Sequence, residues 1–308
     1  MSKPFFQGFA LRPIFLALCL AAASPWAVAA PLQVTVTIGQ IGDVAKAVGG
    51  EQVQVTALMG PGVDPHLYKA TQGDLKKLSE AGIVLYNGLH LEGRMADVLV
   101  KFARQVPTVQ VTESIPQDLL REPPEFNGNY DPHVWFDVSL WAYTADRVRD
   151  ALTELRPEQG AYFADRAKAY RAELATLETY VKQRATELPE SARVLVTAHD
   201  AFGYFGRAYG FEVLGLQGIS TASEYGLQDV SKLVDVLVAR KIKAVFVESS
   251  VSPRSIEALL EGARAKGHDV KIGGQLFSDA MGEPGTPEGT YIGMVRHNID
   301  TIVEALKP

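Results

Sequence analysis

Cysteine is nearly absent from this 308-residue sequence. The single one, Cys19, lies within the first 29 residues, which have the pattern of a cleaved signal peptide. The mature chain is therefore expected to contain no thiol, which excludes disulfide bonds and thiolate metal sites. Any metal site in it must be built from nitrogen and oxygen ligands.

The sequence also lacks a hydrophobic run long enough to span a membrane. The longest, residues 14–23, is shorter than the roughly 20 residues that a spanning helix needs. Lys3 and Arg12 supply positive charge ahead of it, and the small-residue pattern Ala27-Val28-Ala29 after it suits cleavage before residue 30. We therefore expect residues 1–29 to be a signal peptide and the mature protein to reach the periplasm.

Cys19 raises the question of a lipid anchor. A lipid-modified cysteine usually follows a small residue, whereas the bulky Leu18 precedes this one. A soluble mature protein is the favoured prediction, and lipid anchoring at Cys19 is the alternative.

An excess of positive charge is likewise missing. The formal net charge is −6, so the sequence lacks the basic footprint that nucleic-acid binding requires. Hydrophobic residues make up 47% of the chain and charged residues 21%, which is an ordinary globular composition. The length indicates about two domains.

Short β-branched runs alternate with helical stretches in the first part of the chain. Residues 34–38, 53–58 and 83–86 are predicted strands, with helices over 41–48 and 74–80. Such alternation predicts an α/β fold whose mostly parallel sheets are covered on both faces.

The pattern changes at Pro157, after which no strand signal occurs before Pro189. Apolar residues recur there at spacings of three and four, which predicts one long amphipathic helix over 157–189. Alternation then resumes, with strands predicted at 194–197 and 244–247 and helices at 230–239, 255–266 and 290–306. The predicted organisation is a signal peptide (1–29), an N-terminal lobe (30–156), a rigid linking helix (157–189) and a C-terminal lobe (190–308).

Four side chains have the chemistry and placement of metal ligands. His66 and His133 each follow an Asp-Pro pair, whose aspartate could orient the imidazole. His199 is predicted to follow directly after strand 194–197, where α/β folds bind ligands, and Asp279 to lie in a loop after a possible strand at 270–272. Two such groups in each lobe would form a site of three imidazoles and one carboxylate, which suits a borderline divalent ion.

The other histidines and nearby acids are assigned lesser roles. His90 is interpreted as a surface or packing residue, His268 as exposed, and His297 as structural within the last helix. Glu248 and Asp137 are candidates for supporting the site, and both assignments are left open.

Beyond these residue-level arguments, residues 32–308 resemble the cluster A-I, TroA-like metal-binding proteins of ABC importers. The stretches that carry the resemblance are DPHLYKATQGDLKKL (64–78), YDPHVWFDVSLW (130–141), LVTAHDAFGYFGRAYGFEVLGLQGIST (195–221), VFVESSVSPRSIEAL (245–259) and GGQLFSDAMG (273–282). The resemblance implies two lobes joined by a rigid helix, a bound zinc or manganese ion between them, and delivery to an inner-membrane ABC permease by a monomer. The family's ligand positions fall on His66, His133, His199 and Asp279.

Two differences between this chain and other branches of the family leave the identity of the bound metal open. Many manganese-preferring relatives carry glutamate where this chain has His199, and many zinc-preferring relatives carry a histidine-rich loop where residues 121–130 contain none. The imidazole count predicts tighter zinc binding, with manganese as a second cargo.

Three other functions compete with metal delivery. A zinc hydrolase would need an open metal position, and the sequence contains no H-E-x-x-H, G-x-S-x-G or phosphate-cradling motif. A binder of organic iron chelates would not need four protein ligands. A periplasmic metal buffer that contacts no transporter stays open.

Overall fold

The structure, a computed structural model, describes residues 1–3 and 30–307. The apolar run at 14–23, Cys19 and the cleavage pattern at 27–29 lie outside the described residues. Within the described part of the chain, no helix is both long enough and apolar enough to cross a bilayer.

A four-stranded parallel sheet occupies the first part of the chain. Its strands are β1 (Leu32–Val36), β2 (Val53–Ala57), β3 (Ile83–Tyr86) and β4 (Thr108–Gln110), in the order β2-β1-β3-β4. Three helices connect them: α1 (Gly39–Gly49), α2 (Gln72–Ser79) and α3 (Ala96–Phe102). All strands run the same way because each connection crosses over through a helix.

Helix α4 (Val138–Leu155) follows this sheet and was not predicted. Asp137 is its N-cap, and its Oδ1 accepts hydrogen bonds from the backbone N–H groups of Ser139 (3.1 Å) and Leu140 (3.3 Å). Capping satisfies donors that the first helical turn leaves free. The carboxylate of Asp137 thus stabilises the start of α4.

The long helix of the central segment is α5 (Gly160–Ala185), 26 residues in length. It follows a 3₁₀ turn at Pro157–Gln159 and ends before Pro189, so it is shorter than the predicted 157–189 at both ends. At 1.5 Å per residue it spans about 39 Å. Its buried side chains are those that the spacing predicted: Phe163, Ala167, Tyr170, Leu174, Leu177, Val181 and Ala185.

The last part of the chain contains two parallel strand pairs. Strand β5 (Val194–His199) pairs with β6 (Glu212–Gln217), and β7 (Ala244–Glu248) pairs with β8 (Lys271–Leu276). Strands β5 and β7 lie beside each other. The helices here are α6 (Gly203–Tyr209), α7 (Leu227–Ala239), α8 (Arg254–Ala265) and α9 (Tyr291–Leu306).

The strand prediction differed from the structure at several points: β1 begins and ends two residues earlier than predicted, β8 is longer, and β4 and β6 were not predicted. The predicted end of β5 was also wrong. His199 does not follow β5 but is its last residue, and it is in register with Gln217 of β6. The sheet ladder therefore extends two residues beyond the predicted strand, which fixes the backbone of His199.

The mixed α/β architecture with parallel sheets and one long helix is confirmed. Helix α5 contacts α1, α4 and α9, so elements from both ends of the chain share its buried face. A smaller apolar cluster lies among β5, β7, α7 and α8. The described residues from Pro31 onward form one compact unit, within which the strands before and after α5 belong to separate sheets.

Candidate metal centre

Four side chains from distant parts of the sequence meet at one point. His66, His133, His199 and Asp279 each offer one ligand atom, and these atoms all lie within 4.8 Å of one another. The Nε2 atom of His133 lies 3.2 Å from that of His66 and 3.3 Å from Oδ1 of Asp279. The Nε2 atom of His199 lies 3.3 Å from Oδ2 of Asp279. The structure therefore brings together all four predicted site residues.

The parallel strands explain why these residues converge. His199 ends β5, Asp279 comes three residues after β8, and His66 lies in the loop that follows β2. Loops at the carboxyl ends of parallel strands face a common crevice, where α/β folds bind their ligands.

Asp131 orients the imidazole of His133. Its Oδ1 lies 2.8 Å from Nδ1 of His133 and also accepts a hydrogen bond from the His133 backbone N–H (3.0 Å). The fully buried Asp131 is in turn paired with the guanidinium of Arg121. With Nδ1–H donated to the carboxylate, Nε2 is the ring atom that is available as a metal ligand once it is deprotonated.

Glu248, the last residue of β7, orients His199 in the same way. Its Oε2 lies 2.5 Å from Nδ1 of His199, and its Oε1 accepts the His199 backbone N–H at 2.8 Å. Glu248 is buried. Of the two acids that the sequence left open, Glu248 contacts a site residue, whereas Asp137 caps α4.

His66 is supported differently, although its Asp-Pro-His sequence matches that of His133. Asp64 accepts a hydrogen bond from the His66 backbone N–H (2.9 Å) and another from the hydroxyl of Thr221 (2.6 Å). The ring atom Nδ1 of His66 is buried without a hydrogen-bond partner. The expectation that both aspartates orient an imidazole was thus wrong for Asp64.

The loop that carries Asp279 is fixed by side chains that sequence reasoning missed. Asn298 of α9 accepts the backbone N–H of Phe277 (2.9 Å) and donates to the Phe277 carbonyl (2.7 Å). The indole of Trp135 donates to the carbonyl of Ser278 (3.0 Å). An asparagine buried within a helix was the available signal, because such a residue must find polar partners.

The four site residues are almost completely shielded from solvent. At most 2% of any of them is exposed. Burial lowers the pKa of His66 to about 3, so that its imidazole is neutral. Burial also disfavours a charge on His133, but Asp131 and Asp279 outweigh it and raise its pKa to about 9.

Asp279 carries the negative charge of the site. Although burial opposes its ionisation, His199 and His133 hold the pKa of its carboxyl well below the usual range. Both of its oxygens, and Nε2 of His199, are buried without a hydrogen-bond partner. Unpaired polar atoms in the interior are costly, and a cation at their centre would satisfy them.

The donor set indicates a particular class of ion. Three neutral imidazoles and one carboxylate suit a tetrahedral borderline metal such as zinc. Among the residues that the structure describes, no second group of histidine, aspartate or glutamate side chains has a comparable arrangement.

The remaining histidines lie away from the site. His90 is exposed, as expected, and takes a left-handed backbone conformation (φ 67°). His268 is half-buried rather than exposed, because its Nε2 lies 2.8 Å from the carbonyl of Ile242. His297 contacts the carbonyl of Gln275 through Nε2 at 3.0 Å, which agrees with a structural role.

Comparison with known proteins extends over nearly the whole described chain. The family described as zinc-uptake complex component A periplasmic (ZnuA) matches residues 34–305. The manganese-binding lipoprotein MntA of Bacillus subtilis is 56% identical over 276 residues, covering 90% of each chain. The zinc-binding protein TroA of Treponema pallidum is 53% identical over 278 residues, covering 90% of this chain and 89% of TroA.

The fold agrees with that of a solved relative. The structure of the periplasmic zinc-binding protein TroA from Treponema pallidum superposes with a TM-score of 0.88, covering 90% of this chain and all of that one. Sequence, fold and buried ligand cluster lead to the same conclusion: the chain belongs to the ZnuA/TroA-like family of metal-binding, substrate-binding proteins of ABC importers.

Proposed function

We propose that the mature protein captures one divalent transition metal ion, zinc or manganese, outside the cytoplasm and delivers it to an ABC permease in the inner membrane. His66, His133 and His199 bind the ion through Nε2, and Asp279 through its carboxylate. The observation that carries this proposal is the convergence of these four buried groups, with the carboxylate oxygens of Asp279 left without a hydrogen-bond partner.

The preferred ion in vitro is zinc. Imidazole suits zinc, whereas manganese favours carboxylate, carbonyl and water oxygens, and manganese lies below zinc in the general order of affinities. The relatives are named for different metals: MntA of Bacillus subtilis for manganese and TroA of Treponema pallidum for zinc. Manganese is accordingly proposed as a second cargo.

The proposed organisation around the ion is two lobes, residues 30–156 and 190–308, joined through residues 157–189. His66 and His133 belong to the first lobe, His199 and Asp279 to the second.

The protein acts as a monomer in the periplasm, without a lipid on Cys19. Replacement of Cys19 by alanine should leave its distribution between the soluble and membrane fractions unchanged.

Metal stoichiometry tests the ligand assignment. Each of the four residues is changed to alanine. The zinc content per chain and the zinc affinity are then measured after the metal-stripped protein is reloaded. His90→Asn serves as the control, because His90 is exposed and asparagine tolerates its left-handed conformation. Wild-type affinity in two or more of the four alanine variants would refute the assignment.

A second experiment distinguishes delivery of the metal to a permease from metal binding alone. A strain that lacks this protein but retains the permease should lose high-affinity zinc or manganese uptake. Normal uptake in that strain would favour the periplasmic metal buffer. A zinc hydrolase is disfavoured because four protein ligands fill the positions of a tetrahedral ion, leaving none for a reactive water.

A further inference from the structure

His66 is the least directly held of the four site residues. His133 and His199 each place Nδ1 against a carboxylate, whereas Nδ1 of His66 has no hydrogen-bond partner. Asp279 lies in a loop that Asn298 and Trp135 hold through hydrogen bonds to the backbone of the two preceding residues. The position of His66 must therefore depend on the backbone that carries it.

That backbone is the loop between β2 and α2. Its tip, Gly60–Gly62, is exposed. The segment 57–63 borders a cavity of about 350 Å³, which is also lined by Asp279 and Met281. The loop that carries His66 thus has an exposed tip and borders a cavity that is also lined by Asp279.

Asp64 connects this loop to the other half of the chain. One of its carboxylate oxygens accepts the His66 backbone N–H at 2.9 Å, and the other accepts the Thr221 hydroxyl at 2.6 Å. Thr221 is buried and lies between β6 and α7. One side chain therefore links the backbone of His66 to an element 157 residues away in sequence from Asp64.

Thr221 is itself fixed relative to His199. The side-chain amide of Gln217 donates to the carbonyls of Thr221 and Ser223, both at 2.6 Å. Gln217 is in turn the β6 partner of His199 in the sheet. The chain of contacts from His66 through Asp64 and Thr221 consequently ends at Gln217 of β6, the strand that pairs with β5 and its last residue, His199.

We propose that the Asp64–Thr221 hydrogen bond is a latch that holds His66 on the bound metal and sets the rate at which the ion leaves. Asp64 and Thr221 are positioning residues, because neither is a ligand and both act through His66. The proposal rests on the proposed function, in which His66 binds the ion.

Thr221→Val tests the latch, because it removes the hydroxyl while nearly preserving the shape of the side chain. The mature protein loaded with zinc is mixed with an excess of chelator, and the zinc dissociation rate is followed. We expect the rate to rise roughly tenfold, the effect of losing a hydrogen bond to a charged group. Asp64→Asn, which weakens the same contact from the other side, should also speed dissociation.

Thr35→Val is the matched control. Thr35 is a buried threonine whose hydroxyl donates to the carbonyl of Lys77 at 3.2 Å, and it contacts none of the four ligands. Its zinc dissociation rate should equal that of the wild type. The thermal unfolding of the metal-free Thr221→Val and Thr35→Val proteins should be similar, which separates a positioning role from a general loss of stability.

A double variant identifies the residue through which the latch acts. In a His66→Ala background, Thr221→Val should cause no further increase in the zinc dissociation rate. An undiminished increase there, or a wild-type rate in the single Thr221→Val variant, would overturn the latch. Wild-type zinc affinity in His66→Ala would instead overturn the proposed ligand set, so that the two failures are distinguishable.

Discussion

Glu248 holds His199 at both its ring and its backbone. The carboxylate lies 2.5 Å from Nδ1 of the imidazole and accepts the backbone N–H at 2.8 Å. The two residues end strands β5 and β7, which lie side by side, so the adjacent strand ends bring them together. The imidazole consequently has little freedom to turn away from the site.

We expect Glu248→Gln to weaken zinc binding by about 10- to 100-fold, the usual cost of losing a carboxylate that orients a ligating histidine. The glutamine amide does not supply the negative charge that favours Nδ1–H. Affinity would be measured by competition with a chelator of known strength. Glu212→Gln, on the exposed start of β6, is the control and should bind as the wild type does. Equal affinities in the two variants would show that Glu248 does not tune His199.

Zinc binding is expected to release protons at pH 7. The pKa of His133 is raised to about 9 and that of His199 is also raised, although burial opposes both, because carboxylates flank each ring. In the metal-free protein these rings therefore hold protons at neutral pH, and a metal must displace them from Nε2. The neutral His66, with a pKa of about 3, contributes none.

Calorimetry in buffers of different ionisation enthalpy measures this release. The apparent zinc affinity should rise with pH from 6 to 8, by about tenfold per pH unit for each proton displaced. The rise should flatten as the pH passes the raised pKa values, since no proton is then left to displace. Binding heats that do not depend on the buffer at pH 7 would contradict the prediction.

In direct competition at equal free metal, zinc should displace manganese. The physical reason is the nitrogen-rich donor set of three imidazoles and one carboxylate. Elemental analysis of the re-isolated protein gives the occupancy of each ion. Recovery of mostly manganese would show that oxygen ligands or a geometric constraint outweigh the three imidazoles.

Metal release should leave the overall dimensions of the protein nearly unchanged. Helix α5 is continuous over 26 residues and contacts elements from both ends of the chain, whereas hinges work best in short loops that absorb backbone rotation. Small-angle scattering of metal-free and zinc-loaded protein should give similar radii of gyration. The His133→Ala variant controls for effects of zinc on the sample itself. A change of several ångströms in the radius of gyration would show that α5 bends or that it separates from the helices packed against it.

The buried face of α5 should dominate its contribution to stability. Leu174, 1% exposed, lies on that face, so Leu174→Ala should lower the free energy of unfolding by about 2–5 kcal/mol through lost burial and a residual cavity. Thr176→Ala on the exposed face of the same helix should change it by no more than about 0.5 kcal/mol. Urea unfolding of the metal-free proteins compares them, and equal midpoints would contradict the packing assigned to α5.

The sequence predicted most of the strands and the longer helices, because buried parallel strands and amphipathic helices leave clear hydrophobic patterns. The short strands β4 and β6 and the short helices α3 and α6 were not predicted. Strand β3 was predicted to the residue, whereas β5 extends two residues past its apolar run. The hydrogen-bonded ladder between β5 and β6 continues through His199. Local hydropathy does not show which residues pair with another strand. Helix α4 was overlooked, although Asp137 before an apolar-periodic stretch was a usable N-cap signal.

The candidate ligands could be chosen from the sequence because histidine and aspartate at the ends of parallel strands are chemically distinctive. The residues that orient these candidate ligands through hydrogen bonds could not be identified from the sequence in the same way. Asp64 and Asp131 each begin an Asp-Pro-His tripeptide and accept the backbone N–H of its histidine, yet Asp64 also reaches Thr221 while Asp131 reaches the imidazole ring. The difference comes from tertiary neighbours such as Thr221, which no local pattern specifies. The role of the four residues as ligands stays a prediction until metal is measured.

The burial of the four candidate ligands has a consequence for the lifetime of the protein. A cargo ion that binds only the folded chain adds its binding free energy to the free energy of unfolding. Degradation in cells commonly follows the population of opened chains, which falls as that free energy grows. Metal-starved molecules should therefore be cleared faster than loaded ones, so that the abundance of the carrier itself reports how much metal its surroundings supply.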